Sequence, residues 1–205
     1  MDERKMHWER VYQTKSPDQV SWTQAVPQTS IDFIKEAGVS KNARIIDIGG
    51  GDSKLIDFLV NEGYQHLTVL DISKAALDRA KKRLGAAASK VNWIVSDIVE
   101  FNPEERYDLW HDRATFHFLT TPEQISTYLD LAGKSVEQYL VVGTFSNNGP
   151  ERCSGLPIRQ YSEVELQQTL AKDFQKMKCV TEDHITPFET KQNFTFCSFK
   201  KANTA

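Results

Sequence analysis

Three carboxylates close three short apolar runs in the first half of the chain. Asp47 follows Ile45-Ile46, Asp71 follows Leu67-Thr68-Val69-Leu70, and Asp97 comes just after Val91-Asn92-Trp93-Ile94-Val95. A fourth run, Tyr107-Asp108-Leu109-Trp110, leads into His111-Asp112-Arg113. Gly49-Gly50-Gly51 follows the first run at once, so the backbone there can approach a ligand that a Cβ would hold off. These groups suit a nucleoside that carries an amino-acid tail. Asp71 can accept both ribose hydroxyls and Asp97 an exocyclic amine, while the Ile98 backbone N–H can donate to a ring nitrogen. Ile72 and Ile98 can sandwich a flat base. Arg113 is the natural partner for a tail carboxylate, and Asp47 or Gly49 can accept from its ammonium.

The spacing excludes two common nucleotide sites. Counting from Gly49, the last glycine of Gly-x-Gly-x-x-Gly is replaced by Lys54, and no P-loop Gly-Lys-Ser/Thr is present. What remains is Asp47-x-Gly49-x-Gly51.

Elements that alternate must position these groups. Residues 3–12 have helical spacing of Met6, His7, Trp8, Val11 and Tyr12, a turn follows at Ser16-Pro17-Asp18, and Val20-Ser21-Trp22 reads as extended. A helix is expected from Gln28 to Ala37, closed by Gly38. Helices should follow the glycine turn (to Glu62) and Ser73 (Lys74 to Leu84). Thr121-Pro122-x-Gln124 and Ser162-x-x-Glu165 are capping boxes that open two more, the first running to Glu137 and the second through Leu170. Tyr139–Phe145 reads as a fifth strand, residues 147–156 as a polar loop, and residues 175–183 and 193–200 as two closing strands. Strand-helix alternation repeated five times predicts a Rossmann-like, doubly wound α/β sheet of seven strands, mostly parallel with one antiparallel C-terminal strand. Ligands of such sheets lie outside the carboxyl ends of the strands.

Composition sets outer bounds. The chain has 205 residues, 40% hydrophobic and 26% charged, with a net charge of −3; it reads as one domain over residues 1–205. No overall charge draws it to nucleic acid, and no apolar run is long enough for a membrane span. The first five residues carry both charges and no signal-peptide core follows. Cys153, Cys179 and Cys197 are odd in number and widely spaced, with neither a metal motif nor a disulfide framework, which points to a reducing cytoplasmic setting.

The acid-and-glycine turn resembles motif I of the class I S-adenosylmethionine-dependent methyltransferases, with Ser53 where a third glycine is usual. More narrowly, Trp8-x-x-x-Tyr12 and Trp22 resemble the branch that holds the elongation factor 1-alpha lysine methyltransferases and related bacterial proteins. That resemblance implies S-adenosylmethionine as cofactor and S-adenosylhomocysteine as product. It implies that Trp8, Tyr12 and Trp22, which by spacing alone could equally be core, contact the cofactor, with residues 1–27 as a lid. Gly49 and Gly51, Asp71-Ile72, Asp97-Ile98 and Arg113, where the branch has another basic residue, match its remaining contacts. Thiopurine methyltransferase-like enzymes share a comparable aromatic lid, so the acceptor is read as a protein lysine or a small-molecule thiol or amine.

A lysine or hydroxyl acceptor needs a base. His111 and Asp112 are the choice here, among His117, Arg152, Cys153, Tyr161 and His184 at the same sheet edge. The competing readings are a nicotinamide-dependent oxidoreductase, since Asp71 could hold either ribose, and a non-catalytic module that only binds the cofactor. Oligomeric state is not encoded in any of these features.

Overall fold

Ile45, Ile46 and Ile48 are almost completely buried, and the strand they form lies inside a seven-stranded sheet. The computed structural model describes residues 3–202. Met1 and Asp2, the start of the expected lid, and residues 203–205, the end of the expected domain, lie outside the described residues. The helices are α1 (Glu3–Thr14), α2 (Gln28–Ala37), α3 (Leu55–Asn61), α4 (Lys74–Leu84), α5 (Pro122–Ser135) and α6 (Glu163–Leu170). The sheet strands are β1 (Arg44–Ile48), β2 (His66–Asp71), β3 (Val91–Val95), β4 (Tyr107–Arg113), β5 (Val136–Phe145), β6 (Phe174–Ile185) and β7 (Lys191–Lys201). Their order is β3-β2-β1-β4-β5-β7-β6, and only β7 runs against the others. This is the doubly wound α/β arrangement that the alternation implied.

Each strand of the parallel part alternates between two cores. Ile45 and Leu109 pack with α2, α3 and α4 through Ile34, Leu55, Leu59 and Leu77. Ile46, Ile48 and Trp110 pack on the other face with α5 and α6 through Tyr128, Ala132 and Leu166. Full burial of side chains this size is worth ~2 kcal/mol each before entropy is counted. The helix signals act locally. Gly38 closes α2 at φ +66°, Ser73 accepts from Ala76 N to cap α4, and Thr121 and Ser162 make the two capping boxes.

Several features differ from the sequence reading. β4 does not stop at Trp110 but continues through Arg113, because Asp112 and Arg113 still pair with Val142 and Gly143 of β5. α5 ends at Ser135, two residues early, because β-branched Val136 already opens β5. Val20-Ser21-Trp22 is a bend and turn after a short 3-10 turn at Pro17–Gln19, and no strand among the described residues pairs with it. The polar loop holds a small hairpin, Arg152–Cys153 against Leu156–Pro157, turned by Ser154 and Gly155 at positive φ. Finally, Cys179 and Cys197 are directly opposed in the β6–β7 register, with Cα atoms 4.1 Å apart, and form a disulfide. Wide spacing along the chain concealed that pairing, and it removes the basis on which a reducing compartment was expected. Among the described residues no helix is long and apolar enough to cross a membrane.

Candidate active site

The carboxyl ends of β1, β2, β3 and β4 open into one cleft, roofed by α1 and the turn after it. Trp8, Tyr12, Trp22, Asp47, Gly49 and Asp71 line it, as do Ile72, Asp97, Ile98, His111 and Arg113. Of the residues singled out as cofactor contacts only Gly51 does not itself line the cleft; it lies between two that do, and a Cβ there would sit 2.8 Å from Tyr12 Oη and 3.2 Å from Asp71 Oδ2.

The turn is built for close approach. Gly49 adopts φ +63°, and a Cβ on it would fall 1.8 Å from Thr115 Oγ1. Thr115 in turn donates to Ile48 O at 3.2 Å, and Gly50 N donates to Leu70 O at 3.2 Å, tying the turn to β2. Asp71 is buried, accepts from Ser73 N at 2.7 Å and has no ion-pair partner among the described residues. Burial is the main reason its pKa rises to about 7, with Asp47 and Asp52 adding repulsion. A buried carboxylate with spare acceptor capacity and no cation suits a pair of hydroxyl donors. Asp97 is more occupied: Oδ1 accepts from Val99 N at 3.1 Å and Oδ2 is ion-paired with Arg4.

Four aromatic rings form the roof. Trp8 meets Trp22 at 5.5 Å, Phe118 at 5.2 Å and Tyr12 at 6.4 Å between ring centroids. Helix α1 is anchored on both rims. Glu9 accepts from Ser73 Oγ at 2.8 Å and Ala75 N at 3.2 Å at the start of α4. On the other side His7 Nε2 lies 3.2 Å from Ser154 Oγ in the small hairpin.

Strand alternation separates the two residues chosen as acid–base candidates. His111 shares a face with Asp47: its Nδ1 is 2.7 Å from Asp47 Oδ1 and its Nε2 is 2.9 Å from Ser30 Oγ. Asp112 points to the opposite face. There it accepts from Tyr128 Oη at 2.9 Å, Thr115 N at 3.0 Å and Phe116 N at 3.1 Å. Its pKa rises to about 6, chiefly from burial. Asp112 therefore holds the β4–α5 connection and does not reach the cleft.

The remaining candidates divide in the same way. Cys153 lines the cleft, but burial pushes its thiol up to about 12, so it is not a thiolate at neutral pH. His117 accepts from Phe145 N at 3.3 Å, and burial lowers its pKa to about 3, which keeps it neutral. His184 is bonded to Ser21 O at 2.7 Å, Tyr161 packs on Phe116, and Arg152 donates to Gly155 O. None of these four lines the cleft. Ser30, Thr115 and Phe118 do, and the sequence reading missed them. Ser30 carried a usable signal: a hydroxyl three and four residues before Phe33 and Ile34, on the buried face of α2.

Arg113 donates from Nη1 to Trp22 O at 3.1 Å, and its guanidinium stacks 4.9 Å from the ring centre of Phe194 on β7. It lines the same cleft as Gly49, one residue past the Ile48–Asp112 pair that joins β1 to β4 before the glycine turn. Burial lowers its pKa to about 10, so it remains charged at neutral pH.

Residues 45–134 match the family described as methyltransferase domain. A malonyl-[acyl-carrier protein] O-methyltransferase from Anoxybacillus flavithermus is 37% identical over 106 residues, 50% of this chain and 39% of that one. EEF1A lysine methyltransferase 2 of Danio rerio is 33% identical over 88 residues, 42% of this chain and 38% of that one. The chain spans about two fifths of the length of these curated relatives. A crystal structure of the N-methyltransferase NodS from Bradyrhizobium japonicum, in complex with S-adenosylhomocysteine, superposes with a TM-score of 0.74 at 18% identity, covering 98% of this chain and 100% of that one. Residues 45–134 are similar to a methyltransferase domain, and the sheet that continues from them through β7 has the fold of the class I S-adenosylmethionine-dependent methyltransferases.

Proposed function

We propose that the protein transfers a methyl group from S-adenosylmethionine to an acceptor held above β4 and β5. The observation that carries this reading is the buried, cation-free carboxylate of Asp71 beside the glycine turn, under a roof of aromatic rings. In this reading Asp71 accepts the ribose hydroxyls and Ile72 and Ile98 enclose the adenine. Asp97 takes the adenine amine, sharing or exchanging its bond with Arg4. Gly49 and Gly51 let the methionine half cross the backbone, with Asp47 near its ammonium. Trp8, Tyr12 and Trp22, in the segment over residues 1–27, form the lid.

S-adenosylmethionine, when bound, supplies a methyl carbon already activated by the sulfonium. The chain's own part is to align the acceptor with that carbon and keep water out. The faces of Trp8, Tyr12 and Trp22 give a cation an electrostatically favourable wall. Asp47, His111 and Ser30 form a hydrogen-bonded chain at the cleft floor. With the Nδ1 proton donated to Asp47, Nε2 accepts from Ser30, so His111 is placed to take a proton by way of the Ser30 hydroxyl.

The relatives' names point to an oxygen acceptor, a lysine and a nitrogen acceptor, so no single acceptor carries over. No observation favours the oxidoreductase reading. The test is label transfer. The purified protein and tritiated-methyl S-adenosylmethionine are added to a lysate, which is then split into protein and small-molecule fractions. Label in one fraction, lost with Asp71→Ala, is the expected result. No label in either fraction above a protein-free control would refute the reading.

A further inference from the structure

We propose that Arg83 is a positioning residue for the methionine half of the cofactor: its guanidinium fixes the two carbonyls that follow the glycine turn. This inference deepens the methyltransferase reading of the same cleft and rests on it.

Gly49-Gly50-Gly51 has no side chains to hold it, so its shape rests on backbone bonds. Two of these are local: Gly50 N donates to Leu70 O, and Ser53 N donates to Gly50 O at 2.8 Å. The exit of the turn has fewer ties of its own. α3 is only seven residues long, and Lys54 at its N-cap makes no side-chain cap bond. Ser53, where the motif that the turn resembles has a third glycine, uses its hydroxyl to accept from Leu55 N at 3.1 Å. The carbonyls of Asp52 and Ser53 are left to donors from elsewhere.

Arg83 supplies those donors from α4. Its Nη1 donates to Asp52 O and its Nη2 to Ser53 O, both at 2.8 Å. The same guanidinium grips Asp57 in the first turn of α3, with Nε 3.0 Å from Oδ1 and Nη2 2.8 Å from Oδ2. All three nitrogens are thus engaged by acceptors within residues 52–57. A planar fork can do this and a point ammonium cannot. A trans peptide carries its N–H opposite its C=O, so holding Asp52 O and Ser53 O also sets the directions of the Ser53 and Lys54 N–H groups. Arg79 lies one turn earlier on the same face of α4. Its Nη1 is 3.7 Å from Asp52 Oδ2, and its Nη2 donates to Lys15 O, just past the end of α1, at 2.6 Å. Asp52 is therefore held at its carbonyl by one arginine and at its carboxylate by the other. Asp52, Ser53, Lys54 and Arg83 all line the cleft together with Gly49. Among the described residues Arg83 makes no hydrogen bond to Asp71, Ile72, Asp97 or Ile98, the groups proposed for ribose and adenine. Loosening the clamp should move the path of the tail and leave the nucleoside groups in place.

Calorimetry on the full chain with two ligands tests this: S-adenosylhomocysteine, and 5′-methylthioadenosine, which has the nucleoside and the sulfur but no amino-acid tail. The native protein is expected to bind S-adenosylhomocysteine at least about tenfold more tightly. Arg83→Lys keeps a cation for Asp57 but gives up the fork. It should weaken S-adenosylhomocysteine binding by about tenfold and 5′-methylthioadenosine binding by less than about twofold, with thermal unfolding little changed. Asp57→Asn, which loosens the anchor and leaves both carbonyl bonds in place, should show the same split at a smaller size. Equal losses for the two ligands in either variant, or no loss of S-adenosylhomocysteine affinity in Arg83→Lys, would make the clamp a purely structural tie and overturn the proposal. Equal affinity of the native protein for the two ligands would also overturn it, and that arm needs no variant to fold. Failure of the methyltransferase reading shows separately, as binding of neither ligand to the native protein.

Discussion

Asp71 joins ligand binding to pH. Its carboxylate is buried without a cation, and its pKa is about 7. Hydroxyl donors favour the ionised form, so cofactor binding should draw the pKa down and release a proton near neutrality. Affinity for S-adenosylhomocysteine is therefore expected to fall as pH drops from 8 to 6, by up to about tenfold per unit below the pKa. Calorimetry in buffers of different ionisation enthalpy reads both the affinity and the proton count. In the ligand-free protein the sign reverses. A carboxyl whose folded pKa is raised contributes most stability below its unfolded value near 4 and loses that contribution as pH rises through the folded value. Asp71 and Asp112, at about 7 and about 6, should together lower the melting temperature between pH 4 and pH 8, and Asp71→Asn should flatten that slope. At this scale the acids were legible because each closes a strand. Ser30 was not, because its role depends on His111 arriving from another element.

α1 shows what an element adds. It is pinned at Glu9 and His7 on opposite rims, and its Tyr12 hydroxyl lies 2.8 Å from where a Cβ on Gly51, at φ +50°, would fall. Gly51→Ala should therefore strain the turn by about 1–2 kcal/mol and push Tyr12 and the lid outward. Weakened S-adenosylhomocysteine binding together with faster proteolysis of the α1 segment would report that displacement. Trp8→Ala removes the ring at the centre of the aromatic roof. Cofactor affinity is expected to fall about tenfold, with the sheet's thermal unfolding little changed. An equal loss of stability and affinity would instead make Trp8 a core residue. The helices were legible from caps such as Thr121 and Ser162, which act within four residues. The extent of β4 was not. Whether His111-Asp112-Arg113 continues a strand depends on β5 lying beside it, and that pairing decides which side chains face the cleft. Asp112 was misplaced for this reason alone.

Across the whole molecule the sheet separates the cleft from a stabilising edge. β1, β2 and β3 carry the groups proposed to hold the nucleoside, whereas β6 and β7 form a long hairpin stapled by Cys179–Cys197. Closing an 18-residue separation corresponds to about 3 kcal/mol in a chain-entropy account. Reduction, or Cys179→Ser with Cys197→Ser, should lower the melting temperature by several degrees while leaving cofactor affinity within about twofold. The order of strands followed from alternation along the chain, but the disulfide depended on hairpin register, which spacing does not supply. The cleft at the ends of β1, β2 and β3 is the proposed site for S-adenosylmethionine. Calorimetric titration of the native protein with S-adenosylhomocysteine tests this most directly. Saturable binding of about one ligand per chain, abolished by Asp71→Ala in a protein that still melts cooperatively, is the expected result. No measurable heat at millimolar ligand, or undiminished binding in Asp71→Ala, would contradict it.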